Sequence, residues 1–161
     1  MKAIWIRVDQ QMVEPAEFGS YDELRKMVGG WLEVARTWSN GDALYVDEEG
    51  LLKLREGSTF FTIAGGHQPF AGNGVIVGRE PPEEGAGGLT NYDPTITVEE
   101  VRAIVAFRTP TQMLAWARGN ASEPAASVTT FGPGGKRETM VVSTFGEMFG
   151  VQPPSASGRG R

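Results

Sequence analysis

Several residue types are missing or scarce, and each absence excludes a class of protein. The 161 residues contain no cysteine, which excludes disulfide bonds, a thiolate nucleophile and a cysteine-ligated zinc centre. With only one histidine, a zinc site would consist mostly of carboxylates, which zinc does not favour. No apolar run reaches the ~18 residues of a membrane span, and the first residues become charged too early for a signal peptide. We therefore expect a cytoplasmic protein with no membrane partner.

Clusters of basic residues are also scarce. The net charge is −5, and neighbouring basic residues occur only in pairs such as Lys136-Arg137 and the terminal Arg159 and Arg161. Because a nucleic-acid-binding protein normally carries a basic stripe that displaces counterions from phosphates, direct binding of nucleic acid is disfavoured. Residues 1–80 hold 12 acidic and 8 basic side chains. This acidic excess either meets a basic surface of another protein or serves only as solubilising charge.

The first half of the chain has the residue pattern of an α+β protein with a sheet rich in antiparallel strands. Alternating apolar residues or short β-branched runs predict strands, and Pro15 places the second of them at an edge because proline cannot donate a ladder hydrogen bond. Ser20 and Glu23 form a capping-box pattern for a helix that ends at Gly29-Gly30. The predicted strands cover residues 3–8, 12–18, 31–38, 42–47, 51–52, 59–63 and 74–77.

Composition predicts the domain organisation. Residues 1–80 form the α+β domain, and the glycine- and proline-rich residues 81–95 form a linker or exposed loop. Residues 96–150 are expected to hold two short helices, at 97–108 and 109–119, followed by a β-hairpin whose turn is residues 132–135. The tail, residues 151–161, is expected to be disordered.

The residues that could act in catalysis or bind a metal do not form a recognisable catalytic motif. His67 would need an orienting carboxylate and a nucleophile to act as a general base, and a plain loop histidine is the favoured interpretation. Asp47, Glu48 and Glu49 provide oxygen ligands, but their spacing does not match a known calcium loop, and solvated charge at a hairpin tip is favoured. We therefore predict no cofactor and no metal, and favour a protein that is not an enzyme.

The glycine-rich loop 65–74 is the strongest alternative site. Neither Gly72-Asn-Gly74 nor Gly132-Pro-Gly-Gly-Lys-Arg137 fits a nucleotide fingerprint, because the first is followed by a strand and the second lacks the motif's leading glycine and hydroxyl. Backbone amides beside glycines still allow a small ligand to approach closely. Trp5, Trp31 and Trp38 lie in predicted strands, where packing in the core is the expected role.

Two stretches resemble a known family. The run Asp42-Ala-Leu-Tyr-Val-Asp-Glu-Glu-Gly-Leu-Leu-Lys53, followed by Gln68-Pro-Phe-Ala-Gly-Asn-Gly-Val-Ile-Val-Gly78, resembles small proteins encoded by phages, plasmids and actinobacterial mobile elements that share a domain of unknown function. The resemblance covers residues 1–80 and implies a viral or mobile-element origin. It implies no activity, cofactor or catalytic residue.

Together these features predict a non-enzymatic accessory protein that binds and modulates a host protein in host takeover or inhibition of host defence. The alternative is a module that sequesters a small ligand or nucleotide. The candidate binding residues are the outward side chains of the acidic turn and of the glycine-rich loop, namely Tyr45, Asp47, Glu48, Glu49, His67, Gln68, Phe70 and Asn73.

Overall fold

Antiparallel strand pairing organises the first of two structural units in the computed structural model. The structure describes residues 1–54, 57–66, 68–79 and 91–152, and its units are Met1–Thr109 and Pro110–Arg161. The first unit has a main sheet of strand order β2-β1-β7-β4-β3 with β8 paired to β7, and a small sheet of order β6-β5-β9. These strands are β1 Lys2–Arg7, β2 Met12–Glu17, β3 Leu32–Thr37, β4 Asp42–Asp47, β5 Phe60–Ile63, β6 Phe70–Ala71, β7 Gly74–Arg79, β8 Asn91–Tyr92 and β9 Val105–Arg108.

Both faces of the main sheet are covered. The helix α1, Tyr21–Val28, packs Leu24 and Val28 against one face, whereas the small sheet packs Phe61 and Ile63 against the other. Gly74 makes the second contact possible, because a Cβ at this position would lie 2.8 Å from Cζ of Phe61. All six residues of β4 are consequently buried. The arrangement confirms the predicted α+β fold with an antiparallel sheet.

The predicted helix ends are mostly confirmed. Ser20 accepts a hydrogen bond from the Glu23 N–H, and Gly29 ends α1 at a φ of 93°. The helix α2, Val98–Ile104, begins with the predicted capping box of Thr97 and Glu100. Its predicted continuation to Arg108 is wrong, since residues 105–108 leave the helix and pair with β5 as β9. Pairing with the side of β5 that does not pair with β6 outweighs the helical spacing of the apolar residues.

The predicted strand at Leu51-Leu52 is also wrong. Gly50–Lys53 forms a single 3₁₀ turn, and the strands that pair with β4 are β3 and β7. Met12–Glu17 does form the expected edge strand that contains Pro15.

The second unit consists of the helices α3, Pro110–Gly119, and α4, Phe145–Phe149, and the hairpin of β10, Pro124–Phe131, and β11, Arg137–Thr144. The predicted helix and hairpin are confirmed, whereas α4 is absent from the prediction. The rings of Trp116 and Phe145 pack edge to face with centroids 4.7 Å apart. A further capping box, formed by Thr144 and Glu147, begins α4.

The units divide at a different position from the one that composition suggested. The first unit extends to Thr109, so α2 and β9 belong with the sheet that residues 1–80 form rather than with the hairpin. Sequence composition could not show this, because the link is a long-range strand pair. Most of the predicted linker (residues 81–90) and most of the predicted tail (residues 153–161) lie outside the described residues.

Candidate functional site

The two stretches that stand out in the sequence meet at one end of the main sheet. β4 ends at Asp47 where the antiparallel β7 begins at Gly74. The turn after β4 also contacts the loop before β7, because a Cβ on Gly50 would lie 2.6 Å from the carbonyl oxygen of Ala71. The structure therefore brings the acidic turn and part of the glycine-rich loop together.

Asp47 serves the fold of the acidic turn. Its side chain is 6% exposed, and its carboxylate accepts hydrogen bonds from the Glu49 N–H at 3.0 Å and from Lys53 Nζ at 2.7 Å. The hydrogen bond with Asp47 raises the pKa of Lys53. The carboxylate also lies directly against Gly30, where no side chain fits. Solvated charge at the tip was the wrong interpretation for this residue, because three neighbours enclose it.

Tyr45 does not face solvent, so the prediction that its side chain points outward is wrong. It is 4% exposed and packs in the cluster that α1 forms with the sheet, beside Val75 and Val28. The sequence prediction allowed for only one covered face of β4, whereas α1 covers the second. A partner would have to displace α1 to reach this side chain.

The described residues of the glycine-rich loop divide into exposed and internal ones. Gln68 is exposed, but Phe70 is half-buried with its ring centroid 5.2 Å from that of Phe61. Asn73 bridges two elements: its Oδ1 accepts from the Val8 N–H at 3.1 Å, and its Nδ2 donates to the Met27 carbonyl at 3.2 Å. His67 lies outside the described residues.

Glu48 and Glu49 are exposed. Glu49 lies 3.6 Å from Lys53, whereas Glu48 continues the β3–β4 pairing through its N–H, which donates to the Trp31 carbonyl at 2.8 Å. Burial, with a smaller contribution from repulsion by Glu48, raises the pKa of Glu33. Two carboxylates thus lie near one another at the end of the β3–β4 pair.

Trp31 is the surface residue that sequence reasoning placed wrongly. It is 53% exposed rather than packed in the core, and the Arg25 guanidinium lies 3.6 Å from its ring centroid. Arg7 and Arg36 stack similarly on Trp5 and Trp38, at 4.5 and 5.2 Å. A guanidinium over an indole is attracted by the negative face of the ring, which holds the indole in place.

The sequence contains one indication that Trp31 is exposed. In the predicted strand 31–38, Trp31 shares a side with Glu33 and not with Leu32 or Val34, whereas β3 of the structure begins one residue later, at Leu32. A tryptophan on the same side as a glutamate, directly after the glycine pair that ends a helix, indicates the border of a sheet rather than its core. Nothing in the sequence predicts the contact with Arg25, because it depends on how the chain turns at Gly29-Gly30.

A groove lies away from these residues, along the pair β1 and β2. Its volume is about 670 Å³, and its lining includes Ile4, Pro15, Ile96 and Val98 together with the charged Lys2 and Glu17. An apolar lining with few polar groups is typical of small-molecule sites. The sequence prediction placed a possible ligand elsewhere, in the glycine-rich loop.

The described part of the chain contains no group of three or more histidine, aspartate or glutamate side chains that could hold a metal ion. No helix within it is long and apolar enough to cross a membrane.

Comparison with known proteins identifies a family. A family model described as a domain of unknown function (DUF3846) matches residues 1–101. No curated protein and no solved structure shows significant similarity to the chain. The match extends beyond the 80 residues that carry the resemblance in the sequence and includes the capping box of α2.

Proposed function

The chain belongs to the DUF3846 family, a domain of unknown function, and we propose that it is a non-enzymatic phage or mobile-element accessory protein that binds and modulates a host protein. Its place of action in this proposal is the host cytoplasm, in host takeover or inhibition of host defence. The observation that carries the proposal is the exposed indole of Trp31, held by Arg25 and flanked by Glu48. We call Trp31, Arg25, Glu33 and Glu48 the tryptophan face.

A half-exposed tryptophan is a strong candidate for a binding residue. Tryptophan and arginine are enriched among the few residues that dominate the energy of protein interfaces. The stack of Arg25 on Trp31 orients the indole before any partner arrives, so less conformational entropy is lost on binding. The tryptophan face therefore combines a large apolar contact area with a fixed geometry.

The charge of the tryptophan face indicates the character of the partner. Glu33 and Glu48 form no ion pair in the described part of the chain, and repulsion from Glu48 contributes to the raised pKa of Glu33. A cationic group of a partner would relieve this repulsion. Complementary charge of this kind mainly increases the association rate and the specificity of binding.

Affinity capture from host lysate tests the proposal. The tagged chain is compared with Trp31→Ala and Glu48→Lys, and the matched controls are Tyr21→Ala, which removes another exposed aromatic, and Glu138→Lys, which reverses an exposed charge in the second unit. We expect one specific host protein with the wild type and both controls, and its loss with both tryptophan-face variants. The activity of the purified partner is then measured with and without the chain.

Equal recovery with every variant would show that the tryptophan face is not the binding surface. Failure to recover any specific partner would contradict the proposal as a whole. Circular dichroism of each variant distinguishes a lost surface from a lost fold.

A second candidate function is the sequestration of a small ligand, which the groove along β1 and β2 favours. Nucleotides at a hundredfold excess over their dissociation constant would stabilise the chain by about 2.7 kcal/mol. Thermal unfolding with a nucleotide panel tests this, and Ala16→Trp, which fills the groove, should abolish any shift. The absence of a shift with every nucleotide would contradict this candidate.

A further inference from the structure

The two edges of the main sheet differ in what they offer to another chain. At the β2 edge, Pro15 has no N–H to donate, and Arg102 Nε already donates to the Val13 carbonyl at 3.0 Å. Proline and a covered carbonyl are common devices against edge pairing. The β2 edge is therefore closed to strand addition over its central residues.

The β3 edge is open over four residues. No described strand pairs with β3 on its outer side. The Trp31 carbonyl points toward β4, because it accepts a hydrogen bond from the Glu48 N–H. Backbone groups of successive residues in an antiparallel strand point to alternate sides, so the N–H and C=O groups of Leu32 and Val34 point outward, away from β4. A bulge between Val34 and Arg36 ends the regular edge. The available edge is thus residues 31–34.

The side chains along this open edge favour an extended segment of alternating basic and apolar residues. Val34 is 38% exposed, so it offers an apolar contact to a residue opposite it. Glu33 is exposed as a residue, although neighbouring atoms partly shield its carboxylate from water. Across a strand pair an opposite charge is favourable, whereas a like charge is unfavourable. Trp31, just before β3, is 53% exposed, and an indole ring attracts cationic side chains.

We propose that an extended basic segment of the protein partner adds to β3 as a further strand, with cationic side chains beside Glu33 and Trp31 and an apolar side chain beside Val34. This inference rests on the proposed function and adds the mode of binding and the chemistry of the bound segment. Main-chain hydrogen bonds to Leu32 and Val34 provide the affinity, and the side chains provide the specificity.

Labelled hexapeptides test the bound chemistry directly with the full chain. The probes are Lys-Val-Lys-Val-Lys-Val, the same peptide N-methylated at every residue, and Glu-Val-Glu-Val-Glu-Val. We expect the first to bind about tenfold more tightly than either of the others in fluorescence anisotropy at low salt, because the N-methylated peptide lacks main-chain donors and the acidic peptide has the wrong charge. Equal binding of the first and second peptides would overturn strand addition.

Variants of the edge give a second, independent readout. Val34→Pro removes the outward N–H of residue 34 and leaves the hydrogen-bond donors to β4 in place. Val34→Thr retains the outward N–H. We expect binding of the lysine peptide to weaken about fivefold in the first and to stay unchanged in the second. Glu33→Lys should weaken binding of the lysine peptide by a similar factor. This variant serves as the test if Val34→Pro does not fold.

The outcomes separate this inference from the proposed function. A host partner that is lost with Trp31→Ala but retained with Val34→Pro would overturn strand addition and leave the proposed function standing. Peptide binding that follows the expected pattern, without capture of a host partner, would contradict the proposed function alone. A wild-type dimer that Val34→Pro dissociates would overturn the inference in favour of pairing between two copies of the chain.

Discussion

The carboxylate of Asp42 accepts a hydrogen bond of 2.7 Å from the backbone N–H of Ile96, 54 positions further along the chain. The same carboxylate accepts from the Thr95 N–H and hydroxyl and from Asn40 Nδ2. Asp42 is 1% exposed, so neutral donors replace the water that would otherwise solvate its charge. This single side chain fixes the segment before α2 against the central part of the sheet.

We expect Asp42→Ala to destabilise the first unit by about 3 kcal/mol, because it leaves several buried donors without an acceptor. Asp42→Asn should cost about half as much, since its one amide oxygen replaces the carboxylate oxygen that accepts most of the bonds. Chemical denaturation followed by tryptophan fluorescence measures both. Asp9→Ala, which removes a carboxylate with an exposed side chain, is the control and should change the stability by less than about 0.5 kcal/mol. A small effect of Asp42→Ala would mean that Asp42 does not anchor the segment.

Gly74 is required where the small sheet approaches the main sheet. A Cβ there would lie 2.8 Å from Phe61 Cζ and 3.0 Å from Leu44 Cδ1, so Gly74→Ala should destabilise the unit by about 2 kcal/mol through overpacking. The matched control is Gly19→Ala, whose Cβ would have its nearest neighbour at 3.5 Å. Thermal unfolding measures both variants.

A double variant locates the cause of the Gly74→Ala effect. If the Phe61 ring is the obstacle, Phe61→Leu combined with Gly74→Ala should destabilise the unit by less than the sum of the two single changes. An additive result would place the strain elsewhere.

The sequence predicted those elements whose signals are local. The Thr97–Glu100 capping box, the edge strand at Pro15 and the helix end at Gly29 each depend on residues within one turn of chain, and each was found. Residues 105–108 were misassigned because their strand state depends on β5, more than 40 positions away.

The candidate site was also predicted incorrectly where it depends on contacts between residues that are distant in sequence. Asp47 and Tyr45 looked like outward polar residues, yet their burial depends on Gly30 and α1, which local alternation does not reveal. The exposed acidic residue Glu48 was identified from the sequence, whereas the neighbouring Trp31 was assigned to the core. A binding role for any of these residues stays a prediction.

Asn73 has a structural role that can be separated from binding. Asn73→Ala leaves the N–H of the buried residue Val8 without its acceptor, and we expect a loss of about 2 kcal/mol in the free energy of unfolding. Gln68→Ala, an exposed change in the same loop, should alter it by less than about 0.5 kcal/mol. Denaturant titration of the two variants makes the comparison. The opposite order of effects would show that the bridge from Asn73 to β1 and α1 adds little stability.

The pKa of Glu33 is the most direct probe of the charge on the tryptophan face. Burial is the larger cause of its raised pKa and repulsion by Glu48 the smaller. We therefore expect Glu48→Gln to lower the pKa of Glu33 only part of the way to its ordinary value, and Glu49→Gln to leave it unchanged. Carbon-detected NMR titration of the Glu33 carboxyl group measures each shift.

The raised pKa of Glu33 also sets the sign of a stability change with pH. The folded chain holds the Glu33 proton more tightly than the unfolded chain, so this contribution to stability is complete below the unfolded pKa and is lost as the pH rises through the folded pKa. Glu33→Gln should therefore unfold at a higher denaturant concentration than the wild type at pH 7, with a smaller difference at pH values below the ordinary pKa of a glutamate, about 4.3. A difference that is constant with pH would show that the substitution acts through packing, and a wild type more stable at pH 7 than Glu33→Gln would mean that Glu33 already has a cationic partner.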